Sequence, residues 1–317
     1  VVKQATAPSK LAAGFASTET FRRTAFLVGP VLAAVLLGVH PAFTVSFQYV
    51  LGVAVLFGAL GTVVQHVLYD ASEDSFGDTF AGVDQIRSDL RAMPSELRPL
   101  LVGDTLVRFA NGMVYVFFIL VVTEFLGVGL ETTLSLGDWN YAVDLSPAAF
   151  FGYLLGVEMF VALLVMAPAA KVAERVGLKP VVALGFAVYA IFPVILISTP
   201  ESALALVLVF AFSGLRFAGL PSHKALIVGP AQQGAGGRVT GTYYLLRNTV
   251  VIPSAALGGV LWDGLTIPEA LLGTSLPFGG VTVWTGDPTV AFTVAAVVGL
   301  LGTAYFLVFG EEFEAYA

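Results

Sequence analysis

The chain has 317 residues, of which 57% are hydrophobic and only 12% are charged, whereas a soluble domain is about 25% charged. Its formal net charge of -7 excludes the basic surface that a nucleic-acid partner requires. It holds no Cys and three scattered His, so neither a disulfide framework nor a metal site with Cys or His ligands is expected.

Apolar stretches of roughly 18 to 25 residues recur along the chain, and each is long enough to cross a hydrocarbon core about 30 Å thick as a helix. They predict an all-α integral membrane protein with about eight transmembrane helices. The predicted spans are residues 24–40, 46–69, 99–126, 147–170, 179–199, 203–228, 239–262 and 289–309.

Lys and Arg alternate between the two sets of connections. The connections without either residue are 41–45, 127–146, 200–202 and 263–288. The opposite set carries basic residues such as Arg22, Arg87, Lys171 and Arg238. Because cytoplasmic loops are the ones that hold an excess of Lys and Arg, the pattern predicts a multi-pass protein of the plasma membrane with both termini of this chain in the cytoplasm.

The longest predicted cytoplasmic connection separates the second and third spans. Within it, Val83, Ile86, Leu90 and Met93 recur at helical spacing, which predicts an amphipathic helix. A helix lying on the membrane surface is the simplest interpretation. Acidic residues concentrate in the loops, and two explanations stay open: a halophile-like, salt-rich cytoplasm, or ordinary loop variation.

The predicted cytoplasmic turn after the fourth span reads AKVAERVGLKP over residues 170–180. It resembles the Gly-x-x-x-Asp-Arg-x-Gly-Arg-Lys-type loop of the major facilitator superfamily, with the first Gly replaced by Ala and the second Arg by Leu. The matching positions are Glu174, Arg175, Gly177 and Lys179. Such a loop would hold one conformation through its tight reversal and paired charges. Alternatively, a short cytoplasmic turn collects bases by topology alone.

A second resemblance lies in the first span, which reads FLVGPVLAA over residues 26–34. Gly29 and Pro30 match the Gly-Pro-x-x-Gly-Gly element in the fifth helix of proton-coupled antiporters of the superfamily. The seventh span repeats a proline followed by small residues, beginning at Pro253. A proline and small residues predict close helix packing at both places, and a six-helix period is typical of two homologous six-helix lobes.

The resemblance implies that the eight spans correspond to helices five to twelve of a major facilitator protein. Residues 1–69 are then a two-helix remnant of the N-terminal lobe, 70–98 the cytoplasmic interlobe loop, and 99–317 a C-terminal six-helix lobe. We expect four preceding helices to be missing, either by true truncation or because the sequence is incomplete. The missing helices, or a partner subunit, would then be required for activity.

Ionisable side chains inside a span are functional candidates, because each costs about 3 kcal/mol or more unless it meets a partner or water. Asp104 and Arg108 stand four residues apart and are predicted to pair on one helix face. Glu158, near the middle of its span, is the first choice for a proton-titrating or substrate-facing carboxylate. The equal alternative for Glu158 is a permanent ion pair with Arg216 or Arg247.

Arg216 lies in a stretch interrupted by Gly and Pro, where it could bind a substrate carboxylate or hold Glu158. Arg247, Asn248 and Tyr244 are predicted to line the same cavity. His223 and Lys224, nearer the end of the sixth span, are expected to extend to the cytoplasmic interface.

These features favour a secondary transporter that moves a small organic solute by alternating access. Proton-coupled efflux, sodium coupling and uncoupled transport stay open. The alternative is a truncated or degenerate membrane protein that acts as an interaction or sensor module without transport. The sequence carries no motif of a hydrolase, zinc enzyme or ATP-driven pump. We therefore expect no enzyme activity and no cofactor, with the solute, protons and the lipid bilayer as partners.

Overall fold

The fold is known from a computed structural model. It describes Val2 and residues 6–37, 39–40, 42–70, 82–91, 93–136, 139–230, 236–268 and 280–316. The helices in these ranges, numbered in chain order, are α1 (Leu11–Leu37), α2 (Phe43–Leu68), α3 (Val83–Arg91), α4 (Leu97–Phe125), α5 (Pro147–Val176), α6 (Leu178–Ile197), α7 (Ala203–Val228), α8 (Gly237–Asp263) and α9 (Pro288–Phe309).

Among the described residues, seven helices are long and apolar enough to cross a membrane by length and composition. They are α2 and the six helices from α4 to α9. The chain is therefore an all-α membrane protein apart from short hairpins, as its composition predicts. The last seven predicted spans are confirmed as apolar helices.

The first predicted span, 24–40, overlaps α1, whose observed limits differ from the prediction. α1 begins at Leu11 and ends at Leu37. It starts earlier than predicted because the polar residues before the apolar stretch are also helical. It is not among the seven apolar helices. The eighth transmembrane helix therefore stays a prediction.

Three of the long helices contain irregular backbone. α4 passes through a 3-10 turn at Tyr115–Phe117 and ends in a π-helical turn at Val121–Phe125. α7 tightens into a 3-10 turn at Leu215–Phe217, within the stretch that Gly and Pro interrupt. α8 is interrupted at Pro253, whose ring nitrogen has no hydrogen to donate.

Two β-hairpins connect the helices at places that the sequence predicted only as loops. β1 (Leu130–Leu136) pairs antiparallel with β2 (Trp139–Leu145), and β3 (Leu265–Pro268) pairs antiparallel with β4 (Gly280–Trp284). Both hairpins fall in connections without Lys or Arg, so both belong to the predicted outer side. The β-branched residues Thr, Val and Ile, which favour strands, occur in the two hairpins.

The bundle is centred on α9, which packs against α4 and α6. A β-carbon added at Gly302 would lie 2.8 Å from the carbonyl oxygen of Gly103, so the two glycines let the backbones of α4 and α9 approach closely. α5 packs against the first half of α7, and α1 lies against α5 and the second half of α7. These contacts bring the charged residues of α4, α5, α7 and α8 toward one interior.

α3 confirms the amphipathic helix predicted in the long connection. Asp89 of α3 forms an ion pair with Arg238 of α8, so α3 is attached to the bundle rather than lying on the membrane alone. The division of the chain into 1–69, 70–98 and 99–317 stays a prediction.

The close packing predicted at Gly29 is wrong for the described residues. Gly29 is exposed, and nothing lies within 4 Å of the β-carbon it would carry. α1 instead buries Leu11, Ala12 and Ala16, so it meets the bundle through its first half. Pro30 lies inside α1 without ending it.

α2 is the least enclosed of the apolar helices. None of its most apolar 18-residue window is buried, and within the described residues it packs against α1. Its apolar side chains are therefore largely uncovered by the described residues.

Close packing is found near Pro253, at Gly258 of α8. A β-carbon at Gly258 would overlap the carbonyl oxygen of Met113 in α4. We expect Gly258→Ala to destabilise the protein by about 1–3 kcal/mol, because one helix must move to relieve the overlap. Thermal unfolding in detergent measures the effect.

Gly259→Ala is the matched control, since nothing lies within 4 Å of the β-carbon that Gly259 would carry. It should be neutral or slightly stabilising, because Ala favours helix over Gly by about 1 kcal/mol. Equal unfolding midpoints for the two variants would contradict the tight contact between α4 and α8.

Candidate functional site

The side chain of Asp104, fully buried on α4, is surrounded by donors from three helices. Arg108 Nε donates to its carboxylate at 3.2 Å, and Arg247 Nη1 donates at 3.0 Å. The Tyr243 hydroxyl donates at 3.1 Å, and His223 Nε2 lies 3.1 Å from the same oxygen, Oδ2. The ion pair predicted between Asp104 and Arg108 is confirmed.

Helical spacing accounts for most of this arrangement. Arg108 follows Asp104 by four residues on α4, and Arg247 follows Tyr243 by four residues on α8, so each pair shares one helix face. Where the two faces meet, both α8 side chains reach Asp104. His223 completes the cluster from α7, so a single carboxylate joins three helices.

Glu158 of α5 forms the second buried centre, with 2% of its side chain exposed. Its Oε1 atom lies 2.7 Å from Arg216 Nη2 and accepts a hydrogen bond from the Ser213 hydroxyl. A β-carbon at Gly214 would lie 2.7 Å from the carbonyl oxygen of Glu158. Because Gly214 lacks this carbon, α7 can pack closely against α5. Arg216, in the 3-10 turn, then lies beside the carboxylate.

The ion pair of Glu158 is therefore with Arg216, and Arg247 belongs to Asp104. Arg247 also donates to the side-chain oxygen of Asn248 and lies 4.6 Å over the ring of Tyr244. Asn248 itself is exposed. Of the three residues predicted to share the cavity of Glu158, Arg247 contacts Asp104 instead, and Tyr244 and Asn248 contact Arg247.

Tyr189 of α6 connects the two centres. The guanidinium of Arg108 lies 4.6 Å from the centre of its ring, and that of Arg216 lies 4.9 Å away. Each such contact contributes roughly 0.5–2 kcal/mol. The two carboxylates and their arginines therefore form one continuous group of charges inside the bundle.

The expectation that His223 and Lys224 extend to the cytoplasmic interface is wrong for His223, which is 3% exposed. Lys224 forms an ion pair with Glu19 of α1, which is 2% exposed. Glu19 escaped prediction because it precedes the first apolar stretch. The only sequence signal for it is its spacing to Arg22 and Arg23, which both lie within 4 Å of its carboxylate.

The turn that resembles the major facilitator loop is held by two remote residues. Lys10 Nζ lies 2.8 Å from Glu174, and the carboxylate of Glu312 accepts from the backbone nitrogen of Lys179 at 2.9 Å. Gly177 ends α5 with φ +91°, which favours glycine. The structure thus ties this turn to both ends of the chain.

The C-terminal segment also contacts α1 directly. The backbone nitrogen of Ala12 donates to the Tyr316 hydroxyl at 3.0 Å, and burial raises the pKa of that hydroxyl. Arg175, by contrast, is exposed. Of the predicted loop residues, Glu174, Gly177 and Lys179 take part in contacts at this turn.

A cavity of about 600 Å³ lies between the β1–β2 hairpin and α5. Its walls are mostly apolar and include Phe150, Tyr153, Leu154 and Val157. It contains none of the predicted site residues. The described residues also contain no group of three or more His, Cys, Asp or Glu that could hold a metal ion.

No protein-family model and no curated protein matches this sequence. The resemblance to the major facilitator superfamily therefore rests on short sequence motifs alone.

Proposed function

We propose that this chain is a secondary active transporter of the major facilitator type. In this proposal it moves a small organic solute by alternating access and exchanges it for protons, in the direction of efflux. Residues 99–317 form its six-helix C-terminal lobe, and α1 supplies the eighth transmembrane helix. The protein resides in the plasma membrane with both termini of this chain in the cytoplasm.

The observation that carries the proposal is the ion pair of Glu158 with Arg216, buried where α7 is irregular. Burial of a carboxylate is costly, and a cation at 2.7 Å offsets that cost. Protonation of Glu158 removes the charge that holds Arg216. The two helices are then free to move apart at Leu215–Phe217, which couples a proton to a conformational change.

Asp104 has a different part in this mechanism. Donors from Arg108, Arg247 and Tyr243 stabilise its charged form. It therefore stays ionised and holds α4, α7 and α8 together while Glu158 changes its state. Arg216, once released from Glu158, is the group that binds an anionic part of the solute.

Solute-dependent proton movement tests the proposal. The purified chain is reconstituted into liposomes that contain a pH-sensitive dye, and gradients of organic cations, carboxylates and sugars are imposed one at a time. At least one gradient should change the internal pH, and the direction of the change should show that protons move opposite to the solute. If no solute acts beyond its effect on protein-free liposomes, proton-coupled transport by this chain is contradicted.

The second candidate is a membrane-embedded interaction module without transport. The observation that favours it is α2, whose apolar window lies entirely outside the packed core of the described residues. A helix of this kind fits a partner helix as well as lipid. Stable capture of a membrane partner, together with failure of the liposome assay, would favour this candidate.

A further inference from the structure

The interior of the described bundle holds more positive than negative charge. Apart from the exposed Arg22, which also meets Glu19, five cations and three carboxylates form one connected group through ion pairs and shared aromatic rings. The cations are Arg23, Arg108, Arg216, Lys224 and Arg247, and the carboxylates are Glu19, Asp104 and Glu158. Asp104 and Glu19 are each shared by two of these cations, so the group carries an excess of two positive charges in a region where water screens charge weakly.

Arg216 is the most enclosed of these cations, with 5% of its side chain exposed. Its Nη2 atom meets Glu158, but Nε and Nη1 are buried without an acceptor among the described residues. Nε of Arg23 is in the same state. A buried donor without an acceptor costs about 1–3 kcal/mol, so this region favours an additional hydrogen-bond acceptor.

A small cavity adjoins Arg108 and Arg216 between α4, α6 and α7. It is lined by Arg108, Arg216 and His223, together with Gly185 and Gly219. Its volume of about 10 Å³ limits it to one small ligand. A water molecule would accept hydrogen bonds but would leave the excess charge uncompensated.

We infer that this cavity binds one small monovalent anion, for which chloride is the reference ligand. Arg108 and Arg216 supply charge from two helices, and Gly185 and Gly219 let the backbones of α6 and α7 approach closely beside the cavity. The same chemistry has two sources, a free halide or the carboxylate of a small solute. The inference concerns binding and does not rest on transport.

Binding is tested with the full chain purified in detergent without chloride. Sodium chloride, sodium formate and sodium gluconate are titrated separately at constant ionic strength, and heat release and the unfolding midpoint are recorded. We expect chloride to bind saturably at one site and to raise the midpoint, whereas gluconate is too large to bind. Saturable binding of formate but not of chloride would show that the anion is a carboxylate and not a halide. If neither anion binds, the inference is overturned.

Variants locate the site. Arg216→Gln alone leaves Glu158 buried without its cation, so the main variant is Glu158→Gln with Arg216→Gln, which removes both charges. We expect its chloride affinity to fall at least about tenfold, because charged donors are lost. Arg98→Gln, which removes one exposed charge from α4, should bind as the parent does; unchanged affinity in the double variant would place the anion elsewhere.

Discussion

Replacement of Asp104 by Ala is expected to lower the free energy of unfolding by roughly 3–5 kcal/mol, the usual effect of removing one partner from a buried ion pair. The loss is large because the carboxylate is fully buried and meets Arg108, Arg247 and His223. Without it, two arginines repel each other inside the bundle. Denaturant titration of the purified protein in detergent measures the change.

Asp84→Ala is the control for Asp104→Ala. Asp84 is an exposed carboxylate of α3, so its removal changes the net charge equally and should alter stability by less than about 0.5 kcal/mol. Asp104→Asn should fall between the two, because an amide still accepts some of the hydrogen bonds. An Asp104→Ala protein as stable as the control would mean that the cluster is hydrated and does not hold the three helices.

Glu158→Gln is expected to abolish the proton movement that accompanies solute exchange. In the proposed mechanism Glu158 carries the proton, so the proton flux should fall at least about a hundredfold. Gln has nearly the same shape and still accepts from Ser213, but it cannot be charged. Solute bound to Arg216 should still exchange between the two sides. The assay compares dye-reported proton flux with exchange of labelled solute in the same liposomes.

Glu124→Gln controls for the loss of a carboxylate, because Glu124 is exposed at the end of α4. Its proton flux should equal that of the parent protein. If Glu158→Gln retains the parent's pH dependence, the carboxylate is a structural partner of Arg216 and the coupling has another origin.

The sequence predicted the apolar helices well because a long stretch of apolar residues is itself the property that a membrane-spanning helix requires. α9, for example, was predicted at 289–309 and found at Pro288–Phe309, where proline and Asp287 mark its start. Limits were missed where polar residues continue a helix. α5 was predicted to end at residue 170 but extends to Val176, and Gly177 ends it.

α1 and the hairpins show the limits of an argument from apolar patterns. The first half of α1 is polar, and its contacts with α5 and α7 bury Leu11 and Ala12, which no local pattern reveals. The hairpins are short and lie outside the apolar stretches.

The charged residues inside the apolar spans were predictable as candidates, but their partners on other helices were not. Spacing along α4 was enough to pair Asp104 with Arg108. The partner of Glu158 could not be chosen, because Arg216 and Arg247 lie on different helices and only packing decides between them. His223 escaped because its position near the end of α7 suggested the interface, whereas α4 and α8 cover it.

The protonation of Glu158 tests the central claim most directly. Infrared difference spectra of the reconstituted protein, recorded as the pH is lowered and as a transported solute is added, report a protonated carboxyl group. We predict such a signal in the parent protein and in Glu124→Gln, and its loss in Glu158→Gln. If Glu158 stays ionised throughout, its pair with Arg216 is permanent and the proposed proton coupling through it is contradicted.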